Sequence, residues 1–164
     1  MRTDDVAVAL ARLFGELTEG VSGGGGFVLN TGDIGLLRSL DTLSAADASR
    51  SVNGGATIAA HTQHVRYGLS LMNQWAVDGG NPFANAKWDE AWKLSTVGET
   101  EWTAIRDGLG DEVRHWLVVL KAPREVQDVE LTGMVASIAH IAYHLGAIRQ
   151  IDKSVRGPRE GTFQ

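Results

Sequence analysis

The most informative absence in this 164-residue sequence is cysteine, which does not occur at all. Without thiols the chain cannot form a disulfide, bind a metal through thiolates or use a cysteine nucleophile. Any transition metal must therefore be held by nitrogen and oxygen ligands.

An excess of positive charge is also missing. The formal net charge is -5, and arginine and lysine are scattered along the chain. Nucleic-acid-binding proteins usually carry a basic patch, so we expect no nucleic-acid partner. No apolar run approaches the roughly 20 residues needed to cross a bilayer, so we expect no membrane partner. The N-terminal residues MRTDDVAVALARLF lack the features of a signal peptide, and we predict a cytoplasmic protein.

The length and composition are those of a single soluble domain. Hydrophobic residues make up 43% of the chain and charged residues 21%. A chain of this size can bury a stable core without disulfides. We therefore predict one domain that spans residues 1–164.

The hydrophobic pattern predicts helices throughout. Apolar residues recur at three- and four-residue steps in four long segments, at about 4–19, 57–77, 96–120 and 128–152. A short helix is predicted at 34–43. Thr96 and Glu99 have the spacing of a capping box, which predicts that the third long helix starts at Thr96. With no strand alternation, the pattern predicts an all-α fold, a four-helix bundle with long connections and a short extra helix.

Two connections have unusual compositions. Residues 23–26 are four consecutive glycines; no GK[ST] ending follows them, so we interpret the segment as a flexible loop rather than a phosphate loop. The link at 78–95 is rich in aromatic residues, and we expect it to fold back as a lid. Trp88, Trp92 and Trp102 could line a pocket mouth, although packing is the ordinary role of large aromatic residues.

Four of the five histidines are spaced for joint metal binding. His140 and His144 are four residues apart in a helical segment, which places both imidazoles on one face. His61 and His64 are three apart on the second long helix. Adding one of them to the first pair gives three nitrogen ligands and an open coordination position, the arrangement of a catalytic metal site. Inward histidines also occur as packing residues, so the spacing alone leaves a role without metal open.

Two motifs resemble the DinB-like superfamily of bacterial helix bundles. They are IAAHTQH at 58–64 and HIAYHLGAIRQ at 140–150, and the likeness extends over nearly the whole chain. The resemblance implies a divalent metal, zinc or nickel, bound by His140, His144 and a histidine of the second long helix. That ligand is expected to be His61, with His64 as the rival or as a residue that supports the ligands.

The superfamily includes transferases and maleylpyruvate isomerases that use mycothiol or bacillithiol. The resemblance therefore implies a metal-dependent transferase with a low-molecular-weight thiol as cosubstrate. Tyr67, Tyr143 and Arg149 lie near the expected ligands in the sequence and are candidates for orienting substrate. The ordinary alternatives are packing for Tyr143, and for Arg149 a pairing with Asp152 or Glu130 or the capping of helix carbonyls. The alternative is a non-catalytic metal-binding or stress-response bundle in which the ion is structural, or in which the histidines only pack. A homodimer is compatible with each hypothesis, because an apolar bundle face can pair by twofold symmetry.

Overall fold

The computed structural model describes residues 3–122 and 125–158, and within these ranges every regular element is a helix. The all-α prediction is confirmed. The four long helices are α1 (Thr3–Glu19), α4 (Ile58–Asp78), α6 (Glu99–Lys121) and α7 (Asp128–Ile151). The shorter helices are α2 (Gly35–Asp41), α3 (Ala45–Ala48) and α5 (Trp88–Trp92), with single 3₁₀ turns at Pro82–Asn85 and Lys153–Val155.

The chain divides into two compact units. The first contains residues 3–42 and 125–158 of the described chain, and therefore α1, α2 and α7. The second contains residues 43–122, with α3, α4, α5 and α6. That residues 1–164 form a single domain, and that the four long helices form one bundle, stay predictions.

The core of the first unit forms where α1 packs against both α7 and α2. Removing apolar side chains from water contributes roughly 25 cal/mol per Å² and drives this packing. The buried apolar side chains of the unit include Leu10, Phe14, Leu17, Leu36, Leu40, Met134, Ile141, Leu145 and Ile148.

Residues 20–34 connect α1 to α2 and contain the four consecutive glycines; they are here termed the glycine-rich segment. This segment is anchored by the buried carboxylate of Glu16. Its oxygens accept hydrogen bonds from the backbone N–H groups of Phe27 at 2.9 Å, and of Val28 and Leu29 at 2.6 Å each. Burial alone would raise the pKa of Glu16. The three N–H donors and the nearby Arg12 charge outweigh that effect, so the pKa lies below its ordinary value of 4.5.

Close backbone contacts join the two ends of the same segment. Gly20 and Gly35 both have positive φ angles, of 92° and 72°. A Cβ atom on Gly20 would lie 2.2 Å from the carbonyl oxygen of Asp33, and one on Gly35 would lie 2.4 Å from the Gly20 nitrogen. Only glycine fits these positions. The interpretation of the segment as a flexible loop did not anticipate this anchoring.

The second unit is built on the packing of α4 along α6. The Thr57 side chain accepts a hydrogen bond from the Ala60 N–H and caps α4, close to the predicted start. The predicted start of α6 at Thr96 is wrong, because the helix begins at Glu99 with Gly98 as its N-cap. The Glu99 carboxylate instead accepts a hydrogen bond from the Ala45 N–H at 3.0 Å, so it joins α6 to α3.

Trp102 of α6 is fully buried, and its indole N–H donates to the Leu43 carbonyl at 2.8 Å. We expect Trp102→Phe to lower the free energy of unfolding by about 1–3 kcal/mol, because the buried carbonyl loses its donor and a ring is lost from the core. Urea unfolding measures the change. Trp75→Phe, at a partly exposed position of α4, is the control. Equal changes in the two variants would contradict a specific role for the indole hydrogen bond.

Helix α7 has the length and composition of a membrane-spanning helix, which was not expected of any segment. By length and composition it is apolar enough to cross a membrane, with a mean hydropathy of 1.4 in its most apolar window, of which 33% is buried. The prediction that no apolar run is long enough to cross a bilayer is therefore wrong for α7. Core helices of soluble proteins pass the same test, and α7 packs along α1. A cytoplasmic location stays a prediction.

Candidate metal centre

The last long helix brings two histidines together as its four-residue spacing predicts. The Nε2 atoms of His140 and His144 lie 3.0 Å apart, and the ring planes are nearly perpendicular, with centroids 4.5 Å apart. His144 is buried at 2% exposure and His140 is partly buried. Two imidazole nitrogens therefore point at one small region of space next to the apolar core.

The spacing of this pair fits a shared metal ion. Zinc lies about 2.0–2.1 Å from an imidazole nitrogen, so two such nitrogens on one ion are about 2.9–3.4 Å apart at coordination angles of about 90–110°. The observed Nε2–Nε2 distance of 3.0 Å lies within that interval. The pair can therefore supply two adjacent coordination positions without a change of backbone.

Two further histidines lie on α4, one turn apart and both buried. The Trp92 ring stacks on His64, with centroids 4.3 Å apart and planes 26° apart, and it meets His61 edge-on at 5.2 Å. Trp88 lies 5.5 Å from His64. The short helix α5 thus holds two tryptophans against the histidine-bearing turn of α4. This contact confirms that the aromatic link folds back, although Trp102, buried against Leu43, does not belong to it.

Burial has the same electrostatic effect on two of these histidines. It lowers the pKa of His61 and the pKa of His140 below the ordinary value of 6.5. Both imidazoles are therefore neutral at pH 7. A neutral ring has a nitrogen lone pair available, and this is the form in which histidine binds metals.

Each unit offers histidines that could bind a metal ion. The first unit contributes the α7 pair, His140 and His144, whose Nε2 atoms lie 3.0 Å apart. The second unit contributes His61 and His64 of α4. The assignment of His61 as the third ligand, with His64 as its rival, stays a prediction, as does the identity of the metal.

The candidate substrate-orienting residues occupy three different environments. The hydroxyl of Tyr67 accepts a hydrogen bond from the Lys87 N–H at 2.9 Å, which fastens the link that carries α5 to α4. Tyr143 is 69% exposed, and its ring lies 5.0 Å from that of His144. Their roles in catalysis stay predictions.

Arg149 has a partner that sequence reasoning missed. Its guanidinium donates to the Asp33 carboxylate at 2.7 Å, and both side chains are largely buried. The sequence reading had paired this arginine with a neighbouring acid or with helix carbonyls. Asp33 is 116 residues away along the chain, so no local pattern could identify it.

The remaining histidine, His115, lies exposed on α6. It belongs to neither histidine pair, as expected for a histidine without a suitably spaced neighbour. It therefore provides a natural control for tests of the other four.

Comparisons with known proteins add no family assignment. No protein-family description matches the chain, and neither the curated proteins nor the solved structures contain a significant match to it.

Proposed function

We propose that this chain is a divalent-metal-binding protein in which His140, His144 and a histidine of α4 hold the ion. The observation that carries the proposal is the α7 pair, in which the Nε2 atoms of His140 and His144 lie 3.0 Å apart, the separation of two imidazole nitrogens on one ion. The third ligand, from α4, rests on the resemblance of the two histidine motifs to DinB-like proteins.

The donor set favours a particular class of metal. Imidazole nitrogen suits zinc, nickel, copper and iron, whereas magnesium and calcium prefer oxygen ligands. The resemblance to DinB-like proteins narrows the proposal to zinc or nickel. Three protein ligands leave a coordination position open, and a metal there would supply Lewis acidity toward water, a thiol or a carbonyl group. The protein's own part is to present neutral imidazoles, since burial lowers the pKa of His61 and of His140 below the ordinary value of 6.5.

Elemental analysis of untagged protein, purified without added metal, tests this proposal. We expect about one equivalent of zinc or nickel per chain in the wild-type protein, and a loss of most of it in His140→Ala. His115→Ala is the matched control, since it removes an exposed histidine and should leave the metal content unchanged. Wild-type protein that holds no metal and cannot be reconstituted would refute the proposal.

The finer part of the proposal is a DinB-like four-helix bundle that acts as a metal-dependent transferase. It rests on the IAAHTQH and HIAYHLGAIRQ motifs, which resemble those of thiol-dependent members. Assays with mycothiol or bacillithiol, and with maleylpyruvate as acceptor, test it. Turnover that requires both thiol and metal would support catalysis. Metal-loaded protein without turnover, whose melting temperature falls on chelation, would favour the structural role of the ion.

A further inference from the structure

A second site lies in the first unit, beside the C-terminal end of α7. A cavity of about 760 Å³ opens between residues 28–30 of the glycine-rich segment and residues 146–158. Small-molecule sites usually enclose about 300–1,000 Å³. This cavity, here termed the C-terminal pocket, is therefore large enough for an organic molecule rather than a bare ion.

The side chains around the C-terminal pocket are strongly cationic. Among the described residues, Arg149, Lys153 and Arg156 are the cationic side chains of the lining, and Asp33 is its one acidic side chain. Three positive charges and one negative charge give this described part of the lining a formal charge of +2. The whole chain has a formal charge of -5, so the lining is positive although the chain as a whole is negative. A local field of this sign attracts an anion.

Internal contacts hold two of these cationic groups, Arg149 and Arg156, in place before any ligand arrives. The Asp33 carboxylate accepts from the Arg149 guanidinium and also from the Gly35 N–H at 2.8 Å. Arg156 folds back over the end of α7, where its Nε donates to the Arg149 carbonyl at 3.2 Å and its NH2 group to the Gln150 side chain at 2.9 Å. Fixed guanidinium groups lose little entropy when they bind an oxyanion.

A glycine near the C-terminal end of α7 faces the pocket. Gly146 lines the cavity, and a Cβ atom added to it would meet no other atom within 4 Å. Glycine inside a helix lowers stability by roughly 0.5–1 kcal/mol relative to alanine. No neighbouring atom lies close enough to require glycine at this position, so packing does not explain this loss of stability. The absent side chain instead leaves room in the pocket.

We propose that the C-terminal pocket binds a small molecule through a phosphate group. A phosphomonoester carries close to two negative charges, which matches the charge of the lining, and the planar guanidinium fork suits phosphate oxygens. The site is separate from the histidine group. Successive residues of a helix lie about 100° apart, so Gly146 is about 200° around α7 from His144. Phosphate binding therefore does not depend on the proposed metal.

Amide chemical shifts of ¹⁵N-labelled protein, titrated with inorganic phosphate at constant ionic strength, test the pocket. Saturable shifts are expected at Gly146 and Gly157. Acetate, with a single charge, should produce much weaker shifts at the same concentration. We expect Arg156→Gln to weaken phosphate binding about tenfold, the effect of one charge-assisted hydrogen bond. Arg38→Gln, which removes an exposed arginine outside the pocket, is the matched control.

A second variant separates ligand binding from folding. Gly146→Leu should place a side chain in the pocket and weaken phosphate binding, while its melting temperature stays at or above that of the wild type because a helix glycine is removed. Three results would overturn the proposal: no saturable shift at the pocket amides, equal weakening in Arg38→Gln, or acetate binding as tight as phosphate binding.

Discussion

Replacing His144 with alanine is expected to weaken metal binding by at least about a hundredfold. Loss of residues that merely support a ligand typically costs about 10–100-fold in affinity, and loss of a ligand should cost more. His144 is buried, and its Nε2 lies 3.0 Å from that of His140, so the variant loses one of the two adjacent nitrogen ligands of α7. Competition with a chromogenic chelator for zinc and for nickel measures the affinity.

The same measurement decides which histidine of α4 is the third ligand. The ligand is the residue whose replacement, His61→Ala or His64→Ala, matches the loss in His144→Ala. The fold-loss in metal affinity of the other variant should be at most a tenth of that in His144→Ala. Melting temperatures in excess chelator show whether each variant folds without metal. Wild-type affinity in both α4 variants, each folded, would contradict a third ligand from α4.

The histidine pair of α7 could be predicted because its geometry is local. A four-residue spacing within one helix fixes the separation of two side chains, whatever the rest of the chain does. The choice between His61 and His64 has no such local basis. A three-residue spacing puts both on roughly the same side of α4, and the decision depends on small rotations of the helix. Trp92 contacts both rings, so aromatic packing does not distinguish them either.

The helices themselves were predictable to within a few residues, since capping and periodicity act over one or two turns. The start of α6 shows the limit of such reasoning. Thr96 and Glu99 have the correct spacing for a capping box, but Glu99 accepts from Ala45 instead, a residue 54 positions earlier. The Asp33–Arg149 pair, 116 residues apart, is likewise a long-range contact that no sequence window contains. The partners of Glu16 lie only 11–13 residues away, but no motif marks them, because backbone N–H groups of a loop leave no side-chain pattern in the sequence.

Glu16→Ala should destabilise the first unit by about 3 kcal/mol. The carboxylate accepts from three backbone N–H groups, those of Phe27, Val28 and Leu29, and three hydrogen bonds to a charged group would together contribute roughly 4.5–9 kcal/mol. These bonds are only partly buried, so water can replace them in the variant, and the expected loss lies below that combined range. Chemical unfolding at pH 7 measures the change. Glu19→Ala, at an exposed position of the same helix, should change stability by less than about 0.5 kcal/mol.

The stabilisation from Glu16 should also depend on pH in a direction that its pKa fixes. Because the folded-state pKa lies below 4.5, the unfolded chain binds more protons than the folded chain at intermediate acidity. The contribution is therefore fully present above about pH 4.5 and is lost as pH falls through the folded-state value. The stabilities of wild type and Glu16→Ala should converge as the pH falls below 4.5 and through the folded-state pKa of Glu16. A stability difference that stays constant across this range would show that the side chain acts through packing rather than through its charge.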